Sequence, residues 1–294
     1  MERISLADAR TWHILSLGGL LTYGVAMLGF DQAPANIALI IASALATQWL
    51  CGRTISGAPF DPLSPLITAF SLCLLLRASL PTVLALAAVL AISSKFVLRF
   101  DGKHIFNPAN FAIALLLLVT NVAWISPAQW GSRTWAAFLL VCLACLVLSR
   151  AKRADTAIAF LTAYVAILLA RAVYLGDPLT IPLKQMQSGA LLLFTFFMIT
   201  DPMTTPNDRR MRWLYAALVA ALAFSWQFVW YRNGGPVWAL FLLSPLVPLL
   251  DWLRPGARHQ WRSQPASMAA PVASIATEFQ CAPLFVTPMV PSKI

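Results

Sequence analysis

Four segments of this sequence begin at residues that cap helices, and their first residues are suited to bind a ligand. The segments begin at Ser64, Asn107, Ser188 and Gly235, and three of these residues are followed directly by proline. Ser, Asn and Gly are favoured at helix N-caps, and proline is favoured at the first helical position. The free N–H groups and the positive dipole end of such a helix attract an anion, a polar ring edge or a carbonyl-rich ligand. The candidate cofactor-binding residues are therefore Ser64, Asn107, Ser188 and Gly189.

A second candidate site lies around Asp201, which ends an apolar run and precedes a proline. A carboxylate in hydrocarbon costs at least about 2.5–3.5 kcal/mol, so it should be paired or hydrated. Lys95, at the end of the fourth apolar segment, is a candidate partner for Asp201 or for Asp61. We interpret Asp201, Thr200 and Lys95 as a gate or a contact for a partner protein. The alternative is an ordinary Asp-Pro turn that ends a helix.

The composition places these residues in a membrane protein. Of 294 residues, 60% are apolar and 11% are charged, and the mean hydropathy is +0.75. A soluble domain has roughly 25% charged residues. The composition therefore excludes a soluble enzyme, a nucleic-acid-binding domain and a disordered chain. The net charge of +10 is explained by basic residues concentrated in cytoplasmic loops.

Ten apolar segments, bounded by proline, glycine and charged residues, are predicted to be membrane spans. They are residues 11–30, 33–50, 62–77, 81–98, 107–120, 133–150, 155–174, 186–201, 212–230 and 235–253. Residues 1–253 are thus a transmembrane domain. Residues 254–294 are rich in Pro, Ser and Ala without a sustained period, which predicts a disordered cytoplasmic tail.

The two halves of the transmembrane domain share short patterns. Arg-Thr-Trp opens both the first and the sixth segment, at residues 10–12 and 133–135. Five spans per half is an odd number, so the halves must have opposite orientation. The fold class that follows is an all-α polytopic membrane protein with about ten transmembrane helices in two inverted five-helix repeats.

The four capped helices are also the shortest. Their apolar stretches of about 13–15 residues span only about 20 Å, which is less than the roughly 30 Å of hydrocarbon. We therefore expect them to start within the membrane and to meet in one polar pocket near the midplane. Asp201 lies about 20 Å beyond Ser188 along its helix, so we expect it outside that pocket, at the cytoplasmic mouth. The alternative is that all four helices simply start at the bilayer surface.

Other chemistry has little support in the sequence. His13, His104 and His259 do not cluster, so no metal site is predicted. There is no nucleotide-binding glycine loop and no Ser-His-Asp grouping, so no catalytic residue is assigned. Cys142 and Cys145 lie inside an apolar segment, where packing is the simpler explanation.

Two stretches resemble the RnfD/NqrB family, which comprises one membrane protein of the Rnf complex and one of the Na⁺-translocating NADH:quinone reductase. Phe106–Ala109 matches the "FNPA" signature, and 188–206 is similar to the signature "SGG…FFMATDPVT-P". The resemblance extends along most of residues 10–253. It implies flavin binding, electron transfer coupled to ion movement, and other membrane or redox subunits as partners. It also implies the inner membrane of a bacterium. A nucleic-acid partner is already excluded by the composition.

One departure from the family concerns the flavin. The family carries covalent FMN on a Thr of an S-G-A-T motif between the fifth and sixth spans. The corresponding loop, residues 121–131, has no Thr. The chain therefore resembles a shortened branch of the family, similar to the RnfD-like proteins found beside enediyne-type gene clusters. Covalent FMN is not expected, and the flavin would be non-covalent FMN or riboflavin.

Two functions remain open at this stage. The first is a membrane subunit of an electron-transport system, whose enzymatic role would be that of a subunit in an ion-translocating oxidoreductase. The second is a small-solute channel or transporter on the same inverted-repeat scaffold, which resembles urea-transporter architecture. A fold does not fix a function; detection of flavin in the purified protein distinguishes the two.

The distribution of basic residues predicts that both termini are cytoplasmic. With the N-terminus inside, 16 of the 21 Lys and Arg residues face the cytoplasm, as the positive-inside rule requires. In a variant that keeps Cys281 as its only cysteine, an impermeant thiol reagent should label the protein only after the membrane is opened. Labelling in intact cells would contradict this topology.

Overall fold

The structure is a computed structural model that describes residues 8–57, 59–126 and 154–258. Helices dominate this part of the chain. The predicted span at 133–150 lies outside the described residues, as does the predicted tail from residue 259 onward. Each of the other nine predicted spans contains a helix, which confirms an all-α membrane fold.

Five helices and four short strands form the described part of the first half. The helices are α1 (Ala9–Met27), α2 (Pro34–Cys51), α3 (Leu63–Leu75), α4 (Pro81–Val97) and α5 (Pro108–Val119). A π-helical turn, Gly52–Ser56, continues α2. The strands are β1 (Leu76–Ala78), β2 (Arg99–Phe100), β3 (Lys103–His104) and β4 (Ala123–Ile125). β1 pairs antiparallel with β4, and β2 with β3. The third span therefore ends in a strand, where the sequence predicted helix to residue 77.

The helices of the second half are more often interrupted by π-helical or 3₁₀ turns. Its helices are α6 (Ala154–Leu175), α7 (Thr180–Met186), α8 (Gly189–Leu193), α9 (Arg209–Phe224), α10 (Gly235–Leu243) and α11 (Val247–Leu253). π-helical turns continue α8 over Phe194–Met198 and α9 over Ser225–Val229. A 3₁₀ turn, Ser244–Leu246, joins α10 to α11. The sequence did not predict α7 as a separate helix.

Several of these helices are long and apolar enough to cross a membrane. Four stretches of the described chain satisfy both criteria: Pro34–Ser56, Ala154–Leu175, Arg209–Val229 and Gly235–Leu253. α3, α4, α5 and Gly189–Met198 are apolar but shorter. Large apolar side chains such as Val173 and Trp252 are exposed. Such a surface suits lipid, where exposed apolar area carries no penalty.

The core combines alanines, which allow helices to approach closely, with larger apolar side chains. α2 packs along α4, and α6 along α9. Leu72, Ile113 and Phe194 are among the largest side chains that are fully buried. At Gly235 a Cβ atom would collide with the backbone of Ala223, so only glycine lets the start of α10 lie against α9.

A buried ion pair fastens the loop after Asp201 to the end of the chain's last described helix. Lys103 Nζ donates to Asp251 Oδ2 at 2.7 Å and to the carbonyl of Thr205 at 2.6 Å. The other oxygen of Asp251 accepts from the backbone N–H of Asn207 at 2.7 Å. The β2–β3 hairpin, this loop and α11 are thereby held together.

Asp251→Ala should destabilise the fold strongly, because it leaves the buried Lys103 ammonium without its carboxylate. Breaking such a pair costs about 3–5 kcal/mol. Asp177→Ala is the matched control, since its pair with Arg171 is more exposed and should be worth less than about 1 kcal/mol. Thermal unfolding midpoints in detergent provide the measurement. Equal midpoints for the two variants would contradict this stabilising role of the Lys103–Asp251 ion pair.

Candidate functional site

The four predicted helix starts fall into two regions of the fold. Ser64 lines one cavity, whereas Ser188 and Gly235 line another. Asn107 lies beside Asp201, about 20 Å along the helix from Ser188. Neither cavity contains all four starts, but Asn110, one turn into α5, donates from Nδ2 to the carbonyl of Val237 near the start of α10 at 3.2 Å. A single pocket shared by all four starts stays a prediction.

We call these regions the Asp201 end and the Ser188 end. The Asp201 end contains Ser64, Lys95, Asn107, Thr200 and Asp201. The Ser188 end contains Ser188, Gly189 and Gly235. The inverted repeat stays a prediction.

Asn107 has two roles at the Asp201 end. Its Oδ1 accepts from the backbone N–H of Asn110 at 3.1 Å, which makes it the N-cap of α5 as predicted. Its amide Nδ2 lies 3.4 Å from Asp201 Oδ2 and 3.5 Å from the carbonyl oxygen of Met198. Asn107 thus joins the start of α5 to the C-terminal end of the neighbouring helix. The expectation that Asp201 lies apart from the Asn107 pocket is wrong.

Asp201 shapes the turn that follows its helix. Its Oδ1 accepts from the backbone N–H of Met203 at 3.0 Å, and its carbonyl accepts from the hydroxyls of Thr204 and Thr205. The hydroxyl of Thr200 donates back to the carbonyl of Phe196 at 2.7 Å. Thr200 therefore points along its own helix, while Asp201 combines a turn-forming role with contact to Asn107.

Lys95 is buried among polar groups rather than bound to one carboxylate. Its Nζ donates to Ser64 Oγ at 2.8 Å. The carboxylates of Asp201 and Asp61 both act on its charge, but in the described part of the chain neither lies within ion-pair distance of 4.0 Å. Asp61 instead pairs with Arg10 at 2.5 Å. The sequence left open whether Asp201 or Asp61 is the partner of Lys95. In the structure the charges of both carboxylates act on it.

A cavity of about 510 Å³ opens beside Lys95 and Ser64. We call it the basic cavity, because its lining includes three cationic side chains, Arg53, Lys95 and Arg99, against one carboxylate, Asp61. Its other lining residues are Gln48, Trp49, Gly52, Ser56, Gly57, Pro59, Phe60, Phe96 and His104.

His104 contributes a neutral ring to the basic cavity. Burial, together with the positive charges of Lys95 and Arg99, lowers the pKa of His104 to about 3. The imidazole therefore stays neutral at physiological pH. Within the described residues its Nδ1 atom is buried without a hydrogen-bond partner, and so is Oε1 of Gln48.

A larger cavity of about 1220 Å³ lies at the Ser188 end. We call it the aromatic cavity. Trp226 and Trp238 stack with ring centroids 5.3 Å apart, and Trp230 meets Trp226 edge-on at 5.6 Å. The lining also includes Leu75, Trp124, Ser126, Tyr164, Gln185, Ser188, Phe194, Gln227, Arg232 and Gly235.

Two polar atoms of the aromatic cavity have no partner among the described residues. They are Oε1 of Gln185, which accepts hydrogen bonds, and Nε1 of Trp226, which donates them. Sequence reasoning missed both residues. The available signal was three tryptophans in thirteen residues, Trp226, Trp230 and Trp238, next to the predicted helix start at Gly235.

The predicted cofactor-binding residues divide between the cavities. Ser188 lines the aromatic cavity, and Gly189 is buried at the first position of α8. Ser188 precedes α8 but makes no side-chain cap. Ser64 lines the basic cavity, and Asn107 lies beside Asp201. Whether any of the four binds a cofactor stays a prediction.

Comparison with known proteins finds a similarity in the second half of the chain. Residues 120–257 match the model of the NQR2, RnfD, RnfE family. They include the Asp201-Pro202 signature but not Phe106–Ala109. In this region the chain is similar to that family.

Three relatives are each named as the D component of an ion-translocating oxidoreductase complex. The protein from Citrobacter koseri is 26% identical over 132 residues, which cover 45% of this chain and 33% of the relative. The protein from Escherichia coli O1:K1 gives the same values. The protein from Tolumonas auensis is 37% identical over 70 residues, 24% of this chain and 20% of the relative. The matches thus span at most about a third of the relatives' length.

Replacement of Asn107 separates its two roles. Asn107→Ala removes both the cap and the amide that faces Asp201, whereas Asn107→Ser retains a capping oxygen. We expect Asn107→Ala to be less stable than Asn107→Ser by about 0.5–2 kcal/mol, the value of an N-cap. Thermal unfolding in detergent provides the comparison. Equal midpoints would show that the cap contributes nothing.

Proposed function

From this RnfD-like region, we propose that the chain is a membrane subunit of an ion-translocating oxidoreductase complex. The observation that carries the proposal is the family match over residues 120–257, which supply most of the lining of the aromatic cavity. The relatives' name supports a multi-subunit assembly. Partners would be other membrane or redox subunits.

The aromatic cavity fits a non-covalent flavin. Ligand pockets usually measure about 300–1,000 Å³ and are lined by aromatic side chains with a few polar groups. The aromatic cavity is large enough, and the face of Trp238 or Trp226 suits a planar ring. The unpartnered Gln185 Oε1 and Trp226 Nε1 match a ring edge that carries both an N–H and carbonyl groups.

The residues of this cavity would bind and orient the flavin. Gln185 would accept a hydrogen bond from its ring edge, and Trp226 would donate one. Arg232, an exposed cation of the lining, would favour FMN over riboflavin by pairing with the phosphate. When bound, a flavin supplies reversible acceptance of one or two electrons. Ser188 and Gly189 would supply the polar start of α8.

The Asp201 end would serve ion movement or partner contact. Asn107 and Lys95 are buried and Asp201 is half-buried; together they form a polar group with both charge signs. Intramembrane ionisable residues commonly mark ion pathways. Together with the basic-residue distribution, this supports placing the Asp201 end at the cytoplasmic face of a bacterial inner membrane, with both termini inside.

A small-solute transporter is the second candidate, because the fold has a cavity at each end. α3 connects them, with Ser64 at the basic cavity and Leu75 at the aromatic one. Between them Leu72, Cys73 and Leu74 are fully buried. An apolar barrier of this kind would have to open for a polar solute to cross.

Flavin content tests the electron-transport proposal. The purified chain should release about one flavin per molecule into acid, and its in-gel fluorescence should vanish on denaturation because the bond is non-covalent. A colourless protein would contradict flavin binding and favour transport. Fluorescence that survives denaturation at the mass of this chain would contradict the non-covalent assignment.

Trp226→Phe tests the cavity itself. It keeps an aromatic face but removes the N–H donor, so flavin affinity should fall about 2- to 12-fold, the value of one neutral hydrogen bond of 0.5–1.5 kcal/mol. Trp213→Phe is the matched control, because Trp213 is exposed outside the cavity. Equal flavin affinity in both variants would place the flavin elsewhere.

A further inference from the structure

The basic cavity has no role in the proposed flavin site, yet its charges are built for an anion. Arg53, Lys95 and Arg99 line it together with Asp61. The carboxylate of Asp61 is already paired with Arg10 at 2.5 Å. The described lining therefore holds three cations against one carboxylate that is already paired, and Lys95 also senses Asp201 from outside the cavity. This excess of positive charge favours a ligand that carries a negatively charged oxygen such as a phosphate.

The other contacts of these cations leave donors available. Arg53 lies over the ring of Trp49 at 5.5 Å, and Arg99 gives one N–H to the carbonyl of Gly102 at 2.9 Å. Lys95 gives one hydrogen bond to Ser64. An arginine has five N–H donors and a lysine three, so each of these side chains retains donors for a phosphate.

Two further atoms indicate that the ligand also carries hydroxyl groups. Oε1 of Gln48 and Nδ1 of His104 line the same cavity, buried and without partners in the described chain. A hydroxyl group satisfies both, because it donates to an amide oxygen and can serve either tautomer of a neutral imidazole. A phosphodiester group has no O–H, so on its own it could not donate to Gln48.

The surroundings of the cavity indicate a lipid as the source. Trp49 and Phe60 of its lining are about half exposed, and the nearby Ile55 and Phe100 are exposed as well. Aromatic and basic side chains together are typical of the headgroup level of a bilayer. Acyl chains can lie against these apolar side chains while the headgroup enters the cavity.

We propose that the basic cavity binds the headgroup of an anionic phospholipid that carries hydroxyl groups, of the phosphatidylglycerol type. Arg53, Lys95 and Arg99 contact the phosphate, and Gln48 and His104 contact the glycerol hydroxyls. Basic pockets between transmembrane helices are known to suit anionic headgroups. This assignment does not depend on flavin binding.

Lipid titrations of the purified, delipidated chain test this assignment by native mass spectrometry. Phosphatidylglycerol should bind more tightly than phosphatidic acid, which lacks headgroup hydroxyls, and both should bind more tightly than phosphatidylcholine. Arg53→Gln and Arg99→Gln should each weaken phosphatidylglycerol binding about fivefold, equivalent to ~1 kcal/mol per basic residue. Gln48→Leu should remove the preference over phosphatidic acid.

Arg209→Gln is the matched control. Arg209 also lies over a tryptophan, Trp213, at 5.0 Å, but it does not line the cavity, so lipid affinity should not change. Equal binding of phosphatidylcholine, or parental affinity in both cavity variants, would overturn the proposal. Glycerol 3-phosphate that displaces phosphatidylglycerol at equal concentration would overturn the lipid source in favour of a soluble phosphate. Flavin content is measured on the same samples, because the flavin proposal and the lipid proposal can fail independently of each other.

Discussion

Hydrocarbon cannot satisfy a backbone hydrogen bond, and this constraint organises the whole molecule. Short helices such as α5 and α8 end at a depth that a longer helix would pass on its way to water. Their terminal N–H groups and carbonyls therefore need partners within the protein. The fold answers by bringing the start of one helix to the end of another. Asn107 caps α5 and also donates toward the carbonyl of Met198. The polar groups at the Asp201 end are thus positioned by the need to pair backbone groups within the protein.

The two ends consequently differ in chemistry. The Asp201 end gathers charges of both signs, fixed by the contacts of Lys103 and Asp251 and by Lys95 between two carboxylates. The Ser188 end gathers stacked tryptophans and polar atoms that lack a partner in the described chain. One end is suited to charged ligands and ions, and the other to a flat, largely apolar ring. The proposed role in an ion-translocating oxidoreductase would use both environments.

The sequence predicted much of the fold and less of the site. Hydropathy located nine segments that each contain a helix in the described chain, since apolar length is a local property. Asn107 was identified as a cap because Asn-Pro is a local signal. The partnership of Asn107 with Asp201, 94 residues away in sequence, depends on how helices pack, which spacing does not encode. The same is true of Gln185 and Trp226, whose importance rests on the absence of a partner among the described residues.

The three π-helical turns of the described chain have a consequence for the durability of these cavities. Gly52–Ser56 borders the basic cavity, Ser225–Val229 carries Trp226, and Phe194–Met198 leads to Asp201. A π turn contains one residue more than an α-helix would need, and such bulges are frequent at functional sites. Deleting that residue would restore a regular helix and change the direction of the side chains within the turn, including Trp226. The shape of each cavity therefore depends on an irregularity in the helix beside it.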